Sequence, residues 1–305
     1  MGQVLGHLLG TPGPSGFGSK STAEDVIENV ELHSKTVIIT GTTSGIGKET
    51  ARVFAKKGAH VIMAVHNTKL GEETKHKFLE ETPNAIIDVM PLDLSSLASI
   101  RKFVEDFNAQ NLPLNILINN AGVYARKFEL SENGMEKIFA TSHIGPFLLT
   151  NLLLDKMKIT AKETNKEGSI VIVSSYVHFW APKEGITFDK LNEKTRYAQS
   201  KLANILYVKE LSRHLQNGSN VTANALHPGA ICTKMVNQSM DLFMKCKLPF
   251  LFATTCYVAT SPLLNNVTGK YFTNCNEDPH ISKLAKDPIM ASKIWKLGDE
   301  FVSTH

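Results

Sequence analysis

Long apolar runs are missing from this chain of 305 residues. No stretch approaches the roughly 18 consecutive apolar residues that mark a membrane-spanning helix, so no transmembrane segment is expected. Cysteine is scarce: Cys232, Cys246, Cys256 and Cys275 are the four, all in the last quarter. Without CxxC spacing or a companion set of histidines they form no zinc motif, and they read as free thiols of a reducing compartment. Blocks of like charge are also absent; 33 basic and 29 acidic residues leave a net +4 dispersed along the chain. Nucleic acid is therefore not an expected partner. Acidic residues do not occur among the first 20 positions, which hold two prolines and six glycines. That composition reads as a flexible extension over 1–33 ahead of one domain at 34–305. The opening lacks the basic start and apolar run of a signal peptide and the Arg and Ser density of a transit peptide. Gly6 stands where a myristoylation signal wants Ser or Thr.

What is present has a rhythm. Short β-branched runs at 35–40, 60–65, 85–92, 115–119, 169–175 and 221–226 alternate with amphipathic stretches near 45–57, 69–80, 95–108, 131–158 and 197–216. Runs apolar throughout imply strands buried on both faces, hence a parallel sheet with right-handed helical crossovers. The expected fold class is α/β, a single Rossmann-type doubly wound parallel sheet of about seven strands flanked by helices. Ligands of such sheets sit beyond the carboxyl ends of the strands, so the turns there are where chemistry is sought.

The first strand runs into Thr40-Gly41-Thr42-Thr43-Ser44-Gly45-Ile46-Gly47 and then a helix. Glycines let the backbone turn tightly and approach a pyrophosphate, and the N–H groups of a new helix favour an anion. The reading is a dinucleotide loop built on Gly41, Thr43, Ser44, Gly45, Ile46 and Gly47. The second strand ends at Val65-His66-Asn67 with Lys69 beyond and no Asp or Glu. A carboxylate there would hold the ribose of NAD and repel the extra phosphate of NADP, so its absence, with His66, leans toward NADP(H) over NAD(H). Asp93, followed by Leu94 after the third strand, suits either the adenine edge or a helix cap.

Tyr197 and Lys201 stand four apart at the head of a helix, hence on one face. A neighbouring ammonium and a positive nicotinamide would stabilise the phenolate and bring the pKa down from about 10, making Tyr197 a usable acid/base. Ser174 and Ser175 close the fifth strand at the same sheet edge, and Ser175 is preferred as the hydroxyl that polarises a carbonyl.

TGTTSGIG (40–47), LDL (92–94), NNAG (119–122), VSS (173–175), YAQSK (197–201) and HPGAICT (227–233) together resemble the short-chain dehydrogenase/reductase family. The resemblance implies hydride transfer between nicotinamide and a small-molecule carbonyl or alcohol. It also implies that Asn119, Asn120, Ala121 and Gly122 line the cofactor side of the fourth strand, and that Pro228, Gly229 and Thr233 hold the nicotinamide end. Within the family the chain resembles the retinol-dehydrogenase-like branch, and there the plant enzymes associated with the chloroplast inner-envelope protein translocon. The shared stretches are GFGSKSTAEDV, LPLNILINNAG, GPFLLTNLLLDKMK, GITFDKLN, QSKLANIL and TTCYVA. That likeness implies a peripheral place at the chloroplast inner envelope, with the cytoplasm as the other reading. It further implies a homodimer or tetramer through the Tyr197 helix, and a calmodulin-type partner at the basic amphipathic helix near 283–302. The same helix packing its apolar stripe on the sheet is the plainer alternative.

The branch pattern Asn-His-x-Gly-His-Phe reads here Ser142-His143-Ile144-Gly145-Pro146-Phe147. Ser142 thus stands in for a relay amide, and Pro146 removes a helix N–H. His66 likewise replaces an Arg that would grip a 2′-phosphate. A nucleotide-binding redox-sensing regulatory subunit with little turnover is the rival expectation. The apolar, Met-rich stretch after Thr233 suggests a lipophilic substrate.

Overall fold

The computed structural model describes residues 12–124, 127–186, 191, 195–215, 218–229 and 252–305. The β-branched runs form β1 (Thr36–Thr40), β2 (His60–Val65), β3 (Ile86–Pro91), β4 (Ile116–Asn119), β5 (Gly168–Val173), β6 (Val221–His227) and β7 (Tyr271–Thr273). All seven are parallel, and a two-residue β8 (Asn276–Glu277) adds an antiparallel edge beyond the expected count, pairing Thr273 with Asn276. The order is β3-β2-β1-β4-β5-β6-β7-β8. Ile38 pairs with Ile62 on one side and Leu117 on the other. The chain thus winds outward from β1, returns to β4 and winds the other way, and the crevice opens where the direction reverses.

Helices α2 (Gly45–Lys56), α3 (Thr68–Glu81) and α4 (Leu97–Ala109) follow the first three strands. Helix α4 starts one residue later than the sequence suggests. Its cap is Ser96, whose hydroxyl accepts from Ser99 N at 3.1 Å, because Asp93 draws the Ser95 N–H and hydroxyl to itself at 2.8 and 2.7 Å.

The single helix expected over 131–158 is broken into α5 (Lys137–Phe139), a π-turn at Ala140–Ile144 and α6 (Gly145–Thr164). Two residues account for the break. Pro146 has no N–H to give the Ser142 carbonyl one turn back. Gly145 passes so close to the third-strand end that a Cβ there would lie 2.3 Å from Leu94 O.

Residues 12–33, read as extension, do not stand off the domain. Thr22 and Asp25 form a reciprocal capping box on α1 (Ala23–Val26), and Ala23, Ile27 and Leu32 are fully buried. Asn276 Nδ2 donates to Phe17 O at 3.0 Å, so this segment is stitched to the sheet edge. Apolar burial outweighs the glycine-rich composition on which the sequence reading rested.

Helix α7 (Arg196–Leu215) is buried along nearly its whole length, and α9 (Pro288–Thr304) lies across it; α8 (Ala253–Thr260) covers the opposite sheet face. Trp295 of α9 stacks on His214 and Tyr207, with ring centroids at 4.4 and 5.6 Å, and meets Phe147 edge-on at 5.4 Å. One face of α7 is therefore covered by the chain's own last helix. Of the apolar stripe of α9, Ala291 and Ile294 are buried while Ile289 stays exposed. Among the described residues no helix is long and apolar enough to cross a membrane. Trp295→Ala should lower unfolding free energy by about 3 kcal/mol in denaturant titration; a loss below about 1 kcal/mol would show that α9 is not held by this stack.

Candidate active site

A cavity of about 810 Å³ opens at the carboxyl ends of β1, β2, β4, β5 and β6. Its volume falls within the roughly 300–1,000 Å³ of small-molecule and cofactor sites. Gly41 turns at φ +73° and Gly45 at +57°, left-handed conformations open to glycine. A side chain at Gly47 would place its Cβ 2.4 Å from both Gly41 O and Asn120 Nδ2, so only glycine lets α2 settle this close to β4. Ser44 gives α2 no side-chain cap, leaving the first-turn N–H groups for an anion at the cavity wall. Thr40, which the sequence reading left out, pins the neighbouring turn: its hydroxyl accepts from Asn120 N at 3.0 Å and Ala121 N at 2.9 Å. Asn120, Ala121 and Gly122 line the cavity with Thr43, Ser44, Gly45 and Ile46. Asn119 does not; it is buried, donating to Thr150 Oγ1 at 3.0 Å, because alternation along β4 turns its side chain into the core.

At the far end His66, Asn67, Asp93 and Leu94 form the wall. His66 Nε2 lies 3.5 Å from Asp93 Oδ2, while Asn67 caps α3 by accepting from Leu70 N at 3.0 Å. Lys69 is exposed on α3 and outside the cavity wall. Asp93 faces the cavity and accepts from Ser95 N and Oγ, while the cap of α4 is Ser96 rather than Asp93.

Ser175, Tyr197 and Lys201 line the same cavity. Ser174 and Ser175 both line the cavity; the Ser174 hydroxyl donates to Lys201 O at 2.6 Å, and the Ser175 hydroxyl accepts from Val177 N at 3.3 Å. Lys201 Nζ sits 5.5 Å from the Tyr197 ring centroid and donates to Val173 O at 2.9 Å. Burial dominates both groups: it pushes the phenol up to about 12 and the ammonium down to about 8. Within the chain itself, desolvation alone raises Tyr197; the lowering expected from the sequence rests on Lys201 and the positive nicotinamide together.

Two positioning arrangements had no signal in the sequence. Arg196, next to Tyr197, is buried with Nε 3.3 Å from Glu136 Oε1 and donates from Nη2 to Lys127 O at 2.9 Å, anchoring the head of α7. Asn204, one turn past Lys201, donates to Ser142 O at 3.0 Å and Val173 O at 3.3 Å and meets His143 Nδ1 at 3.0 Å. It therefore satisfies the carbonyl that Pro146 leaves free. Ser142 Oγ is buried without a hydrogen-bond partner, and a Cβ on Gly122 would lie 3.6 Å from it and 3.5 Å from Lys201 Nζ. Pro228 and Gly229 (φ +98°) complete the wall beside His227, whose ring burial pushes down to about 4. Thr233 lies outside the described residues.

The short chain dehydrogenase family model matches residues 35–241. The chain belongs to the short-chain dehydrogenase family. It is 49% identical over 318 residues to the Short-chain dehydrogenase TIC 32 B, chloroplastic, of Brassica napus, covering 99% of each chain. It is 36% identical over 288 residues to human Retinol dehydrogenase 12, covering 90% of this chain and 88% of the relative. A solved structure of an uncharacterized protein from Mycobacterium paratuberculosis aligns at TM-score 0.73 and 32% identity, over 93% of this chain and 98% of that one. This short-chain dehydrogenase is thus an oxidoreductase of a family that uses NAD(P). The glycine cradle and the helix start without a side-chain cap fit such a dinucleotide.

Lys201 supplies a pH signature for the free short-chain dehydrogenase. Unfolded, its ammonium holds a proton up to the ordinary 10.5; folded, only to about 8. The unfolded state binds more protons between those values, so Lys201 makes stability rise with pH from about 8 to 10.5 and penalises the fold fully below. Thermal melts at pH 7 and 9.5 should show Lys201→Met losing part of the wild-type gain while melting no lower at pH 7. Identical pH responses would remove the buried ammonium from the account.

Proposed function

We propose that this chain is an NADP(H)-dependent carbonyl reductase or alcohol dehydrogenase acting on a lipophilic small molecule. The observation that carries the reading is that Ser175, Tyr197 and Lys201 line one cavity together with a glycine-rich helix start. Gly41, Thr43, Ser44, Gly45, Ile46 and Gly47 would hold the pyrophosphate, Asp93 and Leu94 the adenine side, and Asn120, Ala121, Gly122, Pro228 and Gly229 the nicotinamide side. Bound there, the nicotinamide supplies or takes up the hydride. The Ser175 hydroxyl donates to the substrate oxygen and Tyr197 gives that oxygen its proton. A phenol pushed up to about 12 is loaded with its proton at neutral pH, which supports the reducing direction. Lys201, held on Val173 O, offers its ammonium to the phenolate left behind. The Ser142 hydroxyl, near Lys201 at Gly122, relays the replacement proton.

NADP(H) is favoured over NAD(H) because β2 ends without a carboxylate at His66, and Asp93, the acid facing it, is engaged with Ser95. NADPH should quench protein fluorescence with a lower dissociation constant than NADH; equal affinities would overturn the preference. Tyr197→Phe should reduce NADPH oxidation with an accepted aldehyde or ketone by at least about 100-fold while nucleotide affinity stays near wild type. Unchanged turnover would take Tyr197 out of the mechanism.

A second reading is an NADP(H)-sensing regulatory subunit at the plastid envelope. It is favoured by Ser142, a single hydroxyl where the branch pattern has an amide, and by the end-to-end likeness to a chloroplastic relative. Screening lipophilic carbonyls and alcohols with both nicotinamides separates the two, since broad turnover counts against a purely regulatory role. The same likeness supports a chloroplast location.

A further inference from the structure

A second cavity, of about 280 Å³, lies where the last turns of α7 meet the turn between β6 and β7 and the segment entering α9. It shares no wall residue with the nucleotide cleft. Four cationic side chains surround it: Lys209 and Arg213 from α7, Lys270 just ahead of β7 and Lys286 just ahead of α9. The acids nearby are engaged. Glu210 Oε2 lies 3.2 Å from Arg213 Nη1 and its Oε1 3.7 Å from His214 Nε2, while Glu277 Oε1 lies 2.9 Å from Lys270 Nζ. Lys209 and Lys286 have no ion-pair partner among the described residues.

The convergence follows from backbone packing. Gly269 turns at φ +73° against α7 so closely that a Cβ would lie 2.6 Å from Ser212 Oγ. This turn places Lys270 in the wall of the same hollow as Lys209. Lys209 is half-buried, and burial, then Lys270 and Lys286, hold its ammonium below the usual range. Cations gathered in a partly desolvated hollow repel one another, and a bound anion reverses the sign of that interaction.

We propose that this hollow is a binding site for a phosphomonoester, held by Lys209, Lys286 and Arg213 and separate from the nucleotide site. A phosphomonoester carries close to two negative charges at neutral pH and several acceptor oxygens, which matches two unpaired ammonium groups and a guanidinium fork. The cavity is smaller than the roughly 300–1,000 Å³ of drug-sized ligand sites. A small soluble phosphate or a phosphate headgroup therefore fits, and a dinucleotide does not.

The test compares the full-length protein with the double variant Lys209→Gln, Lys286→Gln. Without phosphate the variant should melt at or above the wild-type temperature, because the substitution relieves repulsion; this also establishes that it folds. Inorganic phosphate, titrated against chloride at constant ionic strength, should raise the wild-type melting temperature more than the variant's, the part due to the glycine loop being common to both. Sedimentation with vesicles of phosphatidylcholine, with and without phosphatidic acid, identifies the source. Phosphatidic-acid binding that the variant loses supports a lipid headgroup, and a phosphate response without vesicle binding supports a soluble ligand. Equal phosphate shifts in the two proteins, with equal vesicle binding, would overturn the site. Titrating NADPH on the same samples keeps the readings apart, since failure there would sink the nucleotide proposal and leave this one standing.

Discussion

One backbone carbonyl joins the two halves of the candidate site. Val173 O, at the end of β5, accepts from Lys201 Nζ and from Asn204 Nδ2, and it is the point where α7 is anchored on the sheet. A carbonyl at the end of a strand has no following ladder partner, so it is free to receive side-chain donors. Two donors from one helix, three residues apart, set both the height and the rotation of that helix. Tyr197, one turn earlier, is thereby carried to the cavity wall with no hydrogen bond from its phenol needed to hold it.

The same arrangement explains how the chain carries Pro146. Losing a helix N–H at the start of a long buried helix would strand the Ser142 carbonyl, and a buried unsatisfied carbonyl costs about 1–3 kcal/mol. Asn204 takes it up, so the π-turn, the anchoring amide and the lysine form one connected network rather than three independent features. Burial of that network raises the phenol and lowers the ammonium, which keeps Tyr197 charged with its proton. An ammonium in a dry setting is costly to the fold.

The periphery is arranged by the same economy of buried groups. Helix α9 covers α7 through Trp295, and the segment before β1 covers α2 and α8 through Ala23, Ile27 and Leu32. Both segments would look expendable from composition. Both fill surfaces that would otherwise leave apolar side chains in water.

The alternation of strands and helices, the parallel sheet and the glycine loop were legible in the sequence because strand burial and tight turns leave local marks: β-branched runs and glycine at fixed spacing. The Tyr197, Lys201 and Ser175 set was legible for the same reason, each residue standing at a strand end or a helix start. Which side chains turn into the core and which into the cavity was not. Asn119 and Asn120 are adjacent in sequence yet are separated by the pleat of β4, the first turned into the core and the second to the cavity. The direction of the Tyr197 and Lys201 shifts, the role of Asn204 and the packing of residues 12–33 came from tertiary structure alone, because desolvation and long-range hydrogen bonds depend on what else is buried alongside, and no local spacing encodes that.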